Sequence, residues 1–126
     1  MEIDQDTVPS SVEAAVDSII VLLGDEDYAA FENPCVTNAT VHHTIGRYLR
    51  NEWSLWGDDT PLKRDAVEKY GIAHADDISA LIIEWVFVKI QGDEFDAIGY
   101  CRCFHDHWES YGTNSLAAGG WPPGGQ

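Results

Sequence analysis

The sequence predicts an all-α protein, a compact bundle of about five to six helices that ends in a disordered Gly/Pro-rich tail. Three observations predict this class: apolar residues recur at spacings of three and four, residues suited to helix starts precede these segments, and glycines follow them. The chain has 126 residues, enough for one domain with its own core. We place this domain at residues 1–112 and the flexible tail at residues 113–126.

The first half of the chain contains two long apolar patterns. Ser10 and Glu13 form a capping box that starts the first helix, and Gly24 ends it. Residues 25–33 form a short helix that stops before a proline, and a second long helix runs over residues 38–57.

A third patterned segment begins at Thr60-Pro61, where Thr60 is suited to the N-cap and Pro61 to the first helical position. Gly71 ends this helix. Its outer face is predicted to carry three of the seven Lys and Arg residues: Lys63, Arg64 and Lys69.

The next helix is the predicted centre of the fold. Asp76 and Asp77 lie in its first turn, where carboxylates complement the helix dipole, and residues 78–90 are apolar almost all round. The β-branched and aromatic run 85–90 leaves a strand as the alternative there. The last helix closes at Gly112 after one apolar stripe: Ala97, Cys101, Phe104, Trp108 and Tyr111.

The charge is strongly unbalanced, with 22 acidic residues against 7 Lys plus Arg and a net charge of −15. Residues 1–46 contain nine acids and no Lys or Arg. This charge disfavours direct nucleic-acid binding and leaves two interpretations: solubility alone, or a surface that pairs with a basic partner. The candidate partner-binding residues are Asp17, Asp25, Glu26, Asp27 and Glu32.

The expected cellular location of the protein rests on features that the sequence does not show. No apolar run approaches the length of a membrane span, and the acidic first residues are unlike a signal peptide. Three cysteines cannot all pair, which suits free thiols in a reducing compartment. We expect a cytoplasmic protein that does not bind membranes.

The run from Cys101 to His107 contains two cysteines and two histidines, a complete zinc-ligand set by type. On a helix, residues two apart differ by about 200°, so Cys101 and His105 point away from Cys103 and His107. A half-site completed by His74 or by a second chain is the alternative, but we expect no metal and no cofactor. Thiol–imidazole catalysis has no support in the residue pattern, and we expect no enzymatic activity.

Polar residues crowd the second long helix and the start of the central helix. Arg47 and Arg50 share a helix face and could grip an anionic ligand through bidentate bonds. Alternatively, they could clamp the two aspartates that start the central helix, in an internal ion network. The predicted polar cluster comprises Arg47, Arg50, Asn51, His74, Asp76 and Asp77.

Two segments carry a family signature. They are His42-His43-Thr44-Ile45-Gly46-Arg47-Tyr48-Leu49-Arg50-Asn51-Glu52-Trp53-Ser54-Leu55-Trp56 and His74-Ala75-Asp76-Asp77-Ile78-Ser79. With them the chain resembles, from about Val8 to Trp108, an uncharacterised family of small bacterial and phage-associated helical proteins, a domain of unknown function. The resemblance implies an all-helical fold in which the residues of the predicted polar cluster lie close together. It gives no indication of an activity.

These observations favour an acidic interaction or inhibitor protein that occludes a basic, nucleic-acid-binding surface of its partner. An immunity protein against a nuclease toxin and a phage anti-defence protein of the anti-CRISPR kind both fit, because duplex DNA carries about one charge per 1.7 Å and a protein that replaces it must be densely acidic. The alternative is a small-ligand-binding or enzymatic helical domain that uses the Arg/Asp/His cluster. The oligomeric state is left open.

Overall fold

The computed structural model of the chain describes residues 9–22, 47–52 and 60–121. Every regular element in these ranges is a helix, which confirms the all-α class. The helices are α1 (Val12–Leu22), α2 (Arg47–Glu52), α3 (Pro61–Tyr70), α4 (Ala75–Ile90), α5 (Ala97–Glu109) and α6 (Ser115–Ala118). The helix predicted over residues 25–33 lies outside the described residues, as does most of the one predicted over 38–57. No described helix is both long and apolar enough to cross a bilayer.

Helix α4 occupies the centre of the described core. It contacts α1, α2 and α5, and it remains helical through Ile90, so the strand alternative is wrong. Its fully buried apolar residues face more than one neighbour: Ile78, Leu81, Ile82, Ile83 and Val86. Burying such a side chain stabilises the fold by about 1.5–3 kcal/mol, which makes α4 the main source of apolar burial.

Two hydrogen bonds fix the start of α1, one from a neighbouring residue and one from α3. Ser11 Oγ accepts a hydrogen bond from the Ala14 amide at 3.1 Å, so Ser11 acts as the N-cap. The Val12 amide donates to Asp65 Oδ2 of α3 at 2.8 Å. The capping box predicted from Ser10 is therefore wrong by one residue, because a carboxylate 53 positions away fixes the first helical amide.

Helix α3 has the predicted ends. Thr60 Oγ1 accepts a hydrogen bond from the Lys63 amide at 3.2 Å, and Pro61 occupies the first helical position. Gly71 ends the helix in the left-handed conformation, with φ of 68°.

The basic outer face predicted for α3 is wrong at Lys63. This side chain is only 4% exposed, and its Nζ donates to the Gly119 carbonyl at 3.3 Å. Arg64 and Lys69 are exposed. Lys63 is buried because the C-terminal segment folds back over α3, a contact that the local sequence pattern does not contain.

That C-terminal segment is part of the described fold. Helix α5 ends before Tyr111, which is 71% exposed and so does not continue the apolar stripe. Helix α6 follows, with Ser115 buried and its Oγ 2.7 Å from His105 Nδ1. Residues 113–121, which the sequence predicts as part of the tail, belong to the described part of the chain. Residues 122–126 lie outside the described part.

Gly119 allows this segment to approach the rest of the domain. A Cβ at this position would lie 2.2 Å from the Ala73 carbonyl carbon, far inside van der Waals contact. Only glycine therefore lets the end of α6 lie directly against the backbone that precedes α4.

Replacing Asp65 tests the link between α1 and α3. Asp65→Ala leaves the Val12 amide without its acceptor, and we expect a loss of about 1–2 kcal/mol in the free energy of unfolding, measured with urea. Asp65→Asn keeps an acceptor oxygen and should lose less. Lys69→Gln is the control, since it removes only the partly exposed ion pair that Lys69 makes with Asp65. Equal stability of wild type and Asp65→Ala would contradict the proposed cap.

Replacing Gly119 tests the docking of the C-terminal segment. Gly119→Ala introduces the clash with the Ala73 backbone, and we expect a loss of about 1–3 kcal/mol together with faster proteolysis after residue 112. Ala117→Ser, on an exposed position of α6, is the matched control. Proteolysis followed by mass spectrometry locates the cuts, and an unchanged pattern in Gly119→Ala would show that the segment does not dock there.

Candidate functional site

Polar side chains from three helices meet at the start of α4. Helix α2 brings Arg50 toward the first turns of α4, and α5 brings Trp108. We call this group the α4-start site, and its members are Arg50, His74, Asp76, Asp77, Ser79 and Trp108.

Arg50 is held by two groups of α4. Its Nη1 donates to Ser79 Oγ at 3.0 Å, and its Nε lies 3.4 Å from Asp76 Oδ1. Ser79 Oγ in turn donates to the Asp76 carbonyl at 3.1 Å. The Arg50 side chain is only 17% exposed, so this guanidinium joins α2 to α4 in the way the internal-network alternative predicts.

His74 caps α4 through its ring. Its Nδ1 accepts a hydrogen bond from the Asp76 amide at 3.1 Å, which requires Nδ1 to carry no proton. The same nitrogen lies 3.9 Å from Asp76 Oδ2, but an unprotonated nitrogen makes no ion pair there. The ring also stacks on Trp108, with centroids 5.4 Å apart and planes 30° apart. His74 therefore acts as the N-cap of α4 and also contacts α5.

Asp77 is the buried acid of the site. Its residue exposure is 7%, and its Oδ2 accepts a hydrogen bond from Trp108 Nε1 at 2.9 Å. Burial raises the pKa of Asp77, because it disfavours the charged form, while the indole hydrogen bond opposes that rise. The position in the first turn of α4 also favours a negative charge.

The predicted polar cluster is thus brought together in part. Arg50, His74, Asp76 and Asp77 converge, with Arg50 bound to Asp76 and not to Asp77. Arg47 is exposed on α2. The side chain of Asn51 lies outside the described residues.

The predicted partner-binding acids lie mostly beyond the described residues. Asp25, Glu26, Asp27 and Glu32 are outside them. Asp17 is on α1, where its 58% exposed carboxylate forms an ion pair with Lys89 of α4.

Ser79 and Trp108 are the members of the site that sequence reasoning missed. Ser79 was within the family signature, three residues after Asp76, which is the spacing for a bond back to that carbonyl. Trp108 was assigned only to the apolar stripe. Its signal was chemical: a partly buried indole needs an acceptor for its N–H, and a buried carboxylate needs a donor.

The cysteine and histidine run of α5 does not converge. Cys101 is buried and Cys103 is exposed, as expected for a helix, and both are free thiols. His105 is engaged by Ser115 Oγ and by the Tyr70 carbonyl. Within the described ranges, no three His, Cys, Asp or Glu side chains are grouped as metal ligands. Burial raises the pKa of Cys101 to about 12, which keeps this thiol protonated at neutral pH.

An open groove of about 430 Å³ lies elsewhere, beside the start of α1 and along α3. It is lined by Ser10, Pro61, Arg64, Asp65 and Glu68, and not by the α4-start site. The groove therefore offers no ligand space to the predicted polar cluster.

Residues 8–89 match the model of a protein family described as a domain of unknown function (DUF6794). The chain belongs to this family. Comparisons with curated proteins and with solved structures returned no match. The DUF6794 segment ends within α4, short of the end at Trp108 that the sequence resemblance suggested. It includes Arg50, His74, Asp76 and Asp77, whereas the partner of Asp77 comes from α5 beyond the segment.

The raised pKa of Asp77 gives a test through pH. A group with a raised native pKa holds its proton more tightly in the folded chain, so its contribution to stability falls as the pH rises above the ordinary value of 3.8 and through the native value. Asp77→Asn removes this titration and keeps an oxygen for the indole. Across about pH 3 to 7, we expect the wild type to lose stability relative to Asp77→Asn in urea unfolding.

Two further variants make this test specific. Asp76→Asn changes the neighbouring carboxyl, whose side chain is 61% exposed, and serves as the control. Trp108→Phe removes the bond that lowers the pKa of Asp77, so the pH range of the effect should widen upward. A stability difference between wild type and Asp77→Asn that is constant with pH would contradict the buried-acid assignment.

Proposed function

We propose that this chain is an acidic protein-binding domain that covers a basic, nucleic-acid-binding surface of a partner protein. The net charge of −15 favours a cationic partner and opposes approach to nucleic acid. In finer terms, the partner would be a nuclease toxin, with this chain as its immunity protein, or a nucleic-acid-binding defence complex, with this chain as an anti-CRISPR-like inhibitor.

The main support for this proposal is that Lys and Arg side chains are bound by groups of the protein itself. All seven Lys and Arg residues lie within the described ranges, and at least four of them have a partner within the protein. The contacts are Arg50 with Asp76, Lys69 with Asp65, Lys89 with Asp17, and Lys63 with the Gly119 carbonyl. Cations held in this way are poorly placed to bind phosphate, and the acids outnumber the cations by 15, which favours a basic partner.

The alternative, a small-ligand or enzymatic site on the predicted polar cluster, has weaker support. Arg50 already binds Asp76 and Ser79, and Asp77 is buried against Trp108. An anionic ligand would have to displace these internal partners from the arginine.

The test is capture of a partner from host lysate by the immobilised full-length chain at low salt, followed by elution with a short DNA duplex. If the chain covers a nucleic-acid-binding surface, the duplex competes for that surface and releases the partner, and raised salt does the same. Retention that neither DNA nor salt reduces would overturn the proposal.

Two variants with the same change of charge locate the surface. The first is Asp25→Asn with Glu26→Gln and Asp27→Asn, in the predicted partner-binding set. The matched control is Glu68→Gln with Asp106→Asn and Glu109→Gln, at exposed positions of α3 and α5. We expect the first to lose partner binding more than the control does. Equal losses would reject the N-terminal acids as the binding surface.

A further inference from the structure

A row of aromatic rings follows the junction of α4 and α5. Trp85 of α4 contacts Phe95 in the connecting segment, and Tyr100 and Phe104 of α5 continue the row. Successive ring centroids lie 5.5 Å apart. All four rings pack against the core and remain partly exposed. We call these four residues the aromatic row.

Exposed carboxylates flank the aromatic row in sequence. Asp93, Glu94 and Asp96 flank Phe95 in sequence and are exposed. Burial raises the pKa of Tyr100 to about 12, and the nearby Glu84 carboxylate adds to the rise.

Of the three acids that flank Phe95, Asp96 has a structural role. Asp96 is the N-cap of α5, where its Oδ1 accepts a hydrogen bond from the Gly99 amide at 2.9 Å. Asp93 and Glu94 form no ion pair with any described cation. Neither carboxylate is needed to hold the rings together, so both are available to an outside group.

The nearby cations do not offset this charge. Lys89, one turn after Trp85 on α4, pairs with Asp17. Arg102 follows Tyr100 by two residues, about 200° around α5, and is exposed on another side of the helix. The exposed charged residues next to Phe95 in sequence are therefore all acids.

Aromatic faces beside carboxylates suit arginine. A guanidinium stacks on a ring through its plane and donates paired hydrogen bonds to a carboxylate, whereas the strongly hydrated ammonium of lysine does both less well. Aromatic residues and arginine are also the residues most enriched at binding hot spots.

We infer that the aromatic row, with Asp93 and Glu94, docks arginine side chains from the basic surface of the partner protein. The inference rests on the proposed function for the sign of the partner's charge. It adds the arginine preference and a second set of candidate binding residues.

The test uses two defined probes, a nine-residue arginine peptide and a nine-residue lysine peptide of equal charge, titrated into the full-length protein by calorimetry. We expect the arginine peptide to bind roughly 3–10-fold more tightly, the range that cation–π contact at a partly exposed ring supplies. Phe95→Leu removes a ring and keeps an apolar side chain, and it should reduce this preference while leaving lysine-peptide binding nearly unchanged.

A second pair of variants leaves every ring in place, so the test holds even if Phe95→Leu unfolds. Asp93→Asn with Glu94→Gln should weaken arginine-peptide binding several-fold. Asp106→Asn with Glu109→Gln makes the same change of charge on exposed positions of α5 and should have a smaller effect.

Equal affinity for the two peptides, or equal losses in the two charge variants, would overturn the inference and leave only general attraction of cations. The proposed function would survive that result, because release of a captured partner by DNA tests it independently. Failure of both peptides to bind would also overturn the inference.

Discussion

Helix α4 has apolar residues on nearly all of its sides, and the rest of the described structure depends on burying it. Its burial brings its first turn close to the core, where the free amides of a helix start need acceptors. His74 supplies one through its ring, and Asp77 adds a negative charge at the positive end of the helix. The buried carboxylate then needs a donor, which Trp108 of α5 provides. The α4-start site is thus explained first as the structural completion of a buried helix end.

The same reasoning shows which features could be predicted from the sequence. Both ends of helix α3 could be predicted, because Thr60, Pro61 and Gly71 start and end the helix through contacts with residues only a few positions away. The acids at the start of α4 were predicted correctly for the same reason. The errors share another cause: the start of α1 depends on Asp65, and the burial of Lys63 depends on Gly119, at separations of 53 and 56 residues. Helix α6 was missed because its stability comes from docking against His105 and the backbone before α4, and its four residues carry no periodic pattern.

The sequence predicted which types of residue meet at the candidate site better than it predicted which of them pair with each other. Two arginines three residues apart and two neighbouring aspartates suggested one clamp, whereas burial separates the aspartates. Asp76 is exposed and pairs with Arg50, and Asp77 is buried and pairs with an indole. Adjacent positions on a helix point about 100° apart, so one can face a neighbouring helix while the other faces solvent. Residue type alone does not reveal which of two neighbouring acids will be buried.

Asp17 has a role in both sets of residues considered for partner binding. This residue belongs to the predicted partner-binding set, yet its carboxylate pairs with Lys89, one helical turn from Trp85. An ion pair between exposed side chains contributes little to stability, so its main consequence here is local charge. With Asp17 present, the lysine beside the aromatic row is matched by a carboxylate. Without it, a cation would stand next to the surface that we infer receives arginine. Asp17 can therefore promote binding of a basic partner without touching that partner, by neutralising a charge that would repel it.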